Sequence, residues 1–154
     1  MSLELRRRLE ATPAQVFDAL TRPDRVKEWW CPEGYCARNV KIDLRPGGTY
    51  SIEMHSENDG DVVVVRGEYR EISPPTRLVF THKFEAASGP LLEAGLGRDC
   101  ETLVVIDVKA AGSATELILT QQQLPSALAL KMLSGGWGGM LDKLERLTRL
   151  GKNP

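Results

Sequence analysis

Histidine is scarce in this sequence, with two residues, His55 and His82, among 154. Metal catalysis needs several ligands converging on one point. Strand parity sends His55 outward and His82 inward, so the pair does not provide them. Cysteine is scarce as well: Cys31, Cys36 and Cys100 form an odd set without the paired spacing of a zinc site, and none has a histidine near it in sequence. A serine nucleophile would need a Gly-x-Ser-x-Gly elbow, which is missing. No glycine-rich turn leads from a strand into a helix as a dinucleotide site requires. These gaps lead us to expect no metal, no cofactor and no assignable catalytic residue.

An excess of one charge and long apolar runs are also absent. Twenty basic and 21 acidic residues give a formal charge of −1, and the basic residues are scattered, whereas phosphate binding needs a concentrated positive surface. Nucleic acid is therefore not an expected partner. The densest basic cluster, Arg6-Arg7-Arg8, lies in the alternating segment Leu3 to Leu9, which reads as a strand. Arg6 and Arg8 then face solvent, while Arg7 shares the parity of Leu5 and Leu9. No stretch approaches the roughly 20 apolar residues of a membrane span. The unpaired cysteine count, with no apolar leader, points to a reducing cytoplasm.

The segments that are present form a clear order. Thr12-Pro13-Ala14-Gln15 combines a capping threonine, a proline at the first helical position and a glutamine three residues after the cap. It predicts a helix to about Leu20. Thr21-Arg22-Pro23-Asp24 restarts the signal for a second short helix ending near Trp29-Trp30. From residue 38 to 123 the period changes to two, with strands near 38–44, 48–55, 61–72, 77–84, 101–109 and 115–122. Turns are expected at Asp59-Gly60, Pro74-Pro75 and Ala110 to Ser113. The connection from Glu85 to Cys100 is longer than a hairpin needs, which leaves a lid or a dispensable insertion as alternatives.

A final helix runs from about Pro125 to Leu150, its apolar face set by Leu133, Trp137, Met140, Leu141, Leu144 and Leu147. Inside it lies Gly135-Gly136-Trp137-Gly138-Gly139. Glycine in a helix interior costs about 1 kcal/mol against alanine, so bare backbone here implies close approach to a sheet, a kink or room for a guest. The expected class is α+β: a curved antiparallel sheet of about seven strands across a long C-terminal helix, with two short helices after the first strand, in one domain spanning residues 1–154.

Parity selects the inward side chains. They are Tyr50, Ile52 and Met54, then Val63, Val65, Gly67 and Tyr69, then Leu78, Phe80, His82 and Phe84, then Val104, Ile106 and Val108, then Leu117, Leu119 and Gln121. With turns centred on Asp59-Gly60 and Pro74-Pro75, Gly67 sits beside Ile52 and opposite His82, about 5 Å away. A gap next to a histidine, facing Trp137 and its glycines, is the expected pocket. Its lining would come from Tyr50, Ile52, Gly67, Tyr69, Phe80, His82, Val104, Leu119, Gln121, Trp137 and Leu141. A lone inward histidine is more often a hydrogen-bonded core residue than a ligand contact, and Tyr50, Tyr69 and Phe80 suit ordinary core better than a dedicated ligand platform. Glu53, Glu68, Glu101 and Asp107 fall on the outer face beside Arg66 and Arg70, as solvated cross-strand pairs do.

Several stretches resemble the SRPBCC, or START-like, superfamily, in the order that superfamily shows them. They are Val16 to Pro23, Glu28-Trp29-Trp30-Cys31-Pro32-Glu33-Gly34, Asp43-Leu44-Arg45-Pro46-Gly47-Gly48, Gly67 to Ile72, Arg77 to Thr81, and Gly136-Trp137 with Leu141 and Leu144. Within it, the chain resembles the branch named for the C-terminal domain of the activator of the heat-shock-protein ATPase. The resemblance implies a helix-grip fold with an internal cavity, in a superfamily of lipid carriers, hormone receptors, polyketide cyclases and co-chaperone domains. The expected function is binding of a small hydrophobic or aromatic molecule between sheet and helix. The alternatives are a chaperone-type protein-interaction module without a ligand and, third, a cyclase or hydrolase using His82 with Tyr50 or Tyr69.

Overall fold

A computed structural model describes residues 1–86 and 89–151. The elements, in chain order, are β1 (Leu3–Leu9), α1 (Pro13–Thr21), α2 (Pro23–Trp29), β2 (Tyr35–Ile42), β3 (Thr49–Ser56), β4 (Val62–Ser73), β5 (Arg77–Ala86), α3 (Gly89–Glu93), β6 (Thr102–Ala111), β7 (Ala114–Gln122) and α4 (Ala127–Gly151). All seven strands join one curved antiparallel sheet in the order β1-β7-β6-β5-β4-β3-β2. Helix α4 lies across β1 and against α2. This is the expected architecture, with the short helix α3 added.

Local chemistry sets the helix ends. Thr12 Oγ1 accepts from the Gln15 backbone N–H at 3.2 Å and Gln15 Oε1 accepts from the Thr12 N–H at 2.9 Å, which closes the capping box before α1. A cap of this kind contributes about 1 kcal/mol. Ser126 caps α4, its Oγ accepting from the Ala129 N–H at 3.0 Å and donating to the Ala94 carbonyl at 2.7 Å. The second bond ties the long connection to the start of the helix. Ala94 and Leu96 of that connection are core residues, so this part of the segment is anchored to the rest of the fold.

Every inward-facing strand position named above is buried except Gly67, which is half-buried. The β3–β4 register differs from expectation by two residues: Tyr50 pairs with Gly67 and Ile52 with Val65. The cause lies in the loop between these strands. Ser56 Oγ accepts from the N–H groups of Asn58 and Asp59, and Asp59 Oδ1 accepts from Asp61 N–H. The reversal therefore centres one residue before the Asp59-Gly60 step, and moving the centre by one shifts the pairing by two.

On β1, Arg7 is turned toward α4 and meets Asp142 at 3.6 Å. On the outer face Arg66 pairs with Glu85, Arg70 with Glu101 and Arg77 with Asp107.

Candidate functional site

Strands β5 and β7 bring His82 and Gln121 beneath α4, where Trp137 descends. Trp137 Nε1 donates to Gln121 Oε1 at 2.8 Å, Gln121 Nε2 donates to Thr102 Oγ1 at 2.8 Å, and Thr102 Oγ1 donates to the His82 carbonyl at 3.1 Å. All four residues are buried. The chain of bonds satisfies both ends of Gln121 and fixes the indole of Trp137 in one orientation.

The imidazole of His82 is treated differently. It is 4 % exposed, and among the described residues its ring meets no hydrogen-bond partner on another residue. Burial pulls its pKa down to about 4, since a desolvated site disfavours the charged form. The ring is neutral at pH 7. It lies nearly parallel to Trp30 (16°, centroids 6.4 Å apart) and edge-on to Phe84 (84°, 5.0 Å).

The gap expected at Gly67 is closed. The Tyr50 ring lies over this glycine, and its hydroxyl donates to the Thr81 carbonyl at 2.6 Å. A cross-strand aromatic covering a glycine restores the packing a side chain would have given. Burial raises the pKa of Tyr50 and of Tyr69, so both phenols stay protonated. The space left among Trp30, Tyr50, Ile52, Tyr69 and Phe80 is about 10 Å³, at the lower limit of the roughly 10–15 Å³ that admits one water. This corrects the expected location of the pocket.

The open space lies further along α4. A groove of about 620 Å³ runs between the first half of that helix and the ends of β3, β4 and β5. Its sheet wall is Met54, Val63, Val65 and Phe84, its helix wall Leu133, Gly136, Trp137 and Met140, and Trp30 and His82 lie where the walls meet. Of the eleven residues expected to line a pocket, His82 and Trp137 do so here. Tyr50, Ile52, Tyr69 and Phe80 enclose the residual void instead, Gly67 is covered, and Gln121 is taken up by its two bonds. Val104, Leu119 and Leu141 are packed in the core.

Trp30, at the C-cap of α2, is a wall residue outside the expected lining, because a cap position has no periodicity to give its direction. The helix wall was readable in principle, since Leu133, Gly136, Trp137 and Met140 recur at i, i+3, i+4 and i+7.

The helix glycines now separate. A Cβ on Gly138 would stand 3.8 Å from the Arg7 guanidinium, whereas one on Gly135, Gly136 or Gly139 would meet nothing within 4 Å. Close approach to the sheet therefore does not explain Gly135 and Gly136, both of which line the groove. A second depression, about 590 Å³, sits on the outer face over Gly67. Its Arg66 and Lys83 both pair with Glu85.

A sheet curled against one C-terminal helix, with an apolar groove between them, defines a helix-grip protein of the START-like kind. The chain belongs to the family described as Activator of Hsp90 ATPase homolog 1-like protein, whose family model matches residues 10–149. Among solved structures it is similar to a protein from Chromobacterium violaceum, at 25% identity over 96% of both chains with a TM-score of 0.82. It is similar to another from Nitrosomonas europaea, at 25% identity over 100% of this chain and 97% of that one, TM-score 0.79. The AHSA1 protein from Silicibacter pomeroyi shares the fold at 24% identity, covering 98% and 99% of the two chains, TM-score 0.82. No curated protein matches the chain. Among the described residues no helix is long and apolar enough to cross a membrane, and no three potential metal-ligating side chains cluster.

Proposed function

We propose that the protein binds a small hydrophobic or aromatic molecule in the groove between α4 and the sheet. One observation carries this reading: Gly135 and Gly136 bare the helix wall although nothing stands where their side chains would be. Glycine there weakens the helix by about 1 kcal/mol per residue, and no close contact inside the protein accounts for it. A guest in the groove would. The volume of about 620 Å³ falls in the range of small-molecule sites, which are mostly apolar with few polar groups.

A protein partner is the second reading, favoured by Leu128, a groove residue that is 44% exposed. Acid–base catalysis is the weakest. With its pKa at about 4, His82 is a poor base at pH 7, and the Tyr50 hydroxyl is engaged by Thr81.

Native mass spectrometry of freshly purified protein tests the proposal. A small-molecule adduct that dissociates on activation and can be extracted and identified is the expected result. Bare protein in every preparation, with no uptake of added apolar compounds, would turn the assignment to the interaction module.

A further inference from the structure

Resting on the ligand-binding reading above, we infer that the groove selects an uncharged planar aromatic molecule carrying one hydroxyl or equivalent hydrogen-bonding group, held by the ring of His82. The contrast between two neighbouring polar side chains leads there. Gln121 has both ends bonded inside the protein, while the His82 ring, 4 % exposed, is left without a bond to any other described residue and stands in the groove wall. Phenylalanine would fill the same space, so the ring nitrogens, which bond to no other described residue, are what this position adds to the groove wall. A neutral imidazole offers one donor and one acceptor, which a hydroxyl complements from either direction.

Shape and charge narrow the class. Gly135 and Gly136 leave part of the lining as bare helix backbone, in the same groove as Val63, Val65 and Phe84 of the sheet and the ring of Trp137, a lining of flat and branched apolar groups against which a planar ring can stack. Trp30 already lies against His82 and Trp137, so these rings do not form an open cage for a cation. Lys131 and Glu33 at the rim are of opposite sign, which gives an anion no net attraction. A carboxylate at His82 would be a buried charge facing a neutral ring, which is strongly disfavoured.

Calorimetric titration of the intact chain with naphthalene, β-naphthol and β-naphthoate at neutral pH tests this inference. Naphthol is expected to bind about fivefold to tenfold tighter than naphthalene, the worth of one hydrogen bond, and more than tenfold tighter than naphthoate. In His82→Phe the advantage of naphthol over naphthalene should vanish while naphthalene affinity is kept. A measurement on the unaltered protein guards against misfolding of that variant: the His82 ring nitrogen resonances should move with naphthol and stay in place with naphthalene. Equal affinity for naphthol and naphthalene, with unmoved His82 resonances, overturns the inference and leaves the groove as an unselective apolar site. Naphthoate binding as tightly as naphthol overturns the uncharged class. Failure of all three probes to bind overturns the inference together with the reading it rests on.

Discussion

Tyr50 and Gly67 stand opposite each other on β3 and β4, and the phenol ring takes the place of the missing side chain. A Cβ added at Gly67 would collide with the Thr81 carbonyl oxygen and fall 2.5 Å from the Tyr50 ring. Since one of those atoms is backbone, the strand itself has to move. Gly67→Ala should destabilise the protein by roughly 1–3 kcal/mol, the usual range for overpacking a core, read as a lower denaturant midpoint. An unchanged midpoint would show that the dimple relaxes freely.

His82 has a different signature at the same scale. Its pKa is about 4 in the folded protein against an ordinary 6.5, so between these values the unfolded chain binds more protons than the folded one. Stability from this residue is complete above pH 6.5 and declines as the pH falls toward 4. The full span is worth roughly 3 kcal/mol. Urea titrations at a series of pH values should show that decline, and His82→Phe should flatten it. An equally steep decline in the variant would assign the acid sensitivity to other groups. The sequence was enough to show that Gly67 and His82 share an inward face. It was not enough to show that Tyr50 closes the gap, because that depends on a five-residue loop whose side chains shift the register by two.

Helix α4 is where local propensity and use of the surface conflict. Its start, its apolar face and its length were legible, because a proline-serine cap signal precedes a long amphipathic run and those cues are local. The meaning of its glycines was not, since three explanations fit the pattern and only the neighbouring elements separate them. Arg7 on β1 comes near Gly138, while Gly135 and Gly136 face open groove. Both positions accept a methyl group without contact, so Gly135→Ala and Gly136→Ala should each raise stability by up to about 1 kcal/mol. The same methyls narrow the slot. The double variant should therefore melt at a higher temperature and bind apolar probes more weakly than the natural chain, measured by calorimetry and probe titration. A destabilised variant would mean the helix needs those glycines for its own packing, and the case for the groove would lose its main support. The groove itself was misplaced along the helix for a physical reason. Parity tells which side of a strand faces inward, but whether inward space is filled depends on how far large rings from other elements reach, and Trp30 enters from α2.

At the scale of the molecule, one sheet holds both chain ends of the β-order, with β1 at one edge and β2 at the other, and α4 spans from β1 to α2. The buried apolar residues form one connected core that includes Leu3 and Leu9 at one end and Ala37 and Met54 at the other. No boundary divides it, so we propose that residues 1–154 act as one domain, as composition and length suggested. A single core with strand pairing of long sequence separation should unfold as one cooperative unit. Trp29, Trp30 and Trp137 are all buried where α2 and α4 meet the sheet, whereas far-ultraviolet dichroism reports the backbone as a whole. Denaturant curves followed by the two signals should coincide in midpoint and slope. If the tryptophan signal is lost first, the helices release the sheet in a separate step, and the groove between them would then open by local unfolding of α4 and not by motion within an intact core. Coincident curves would instead show that the helices and the sheet come apart together, which leaves the existing mouth of the groove, beside Leu128 and Lys131, as the route for the guest proposed above.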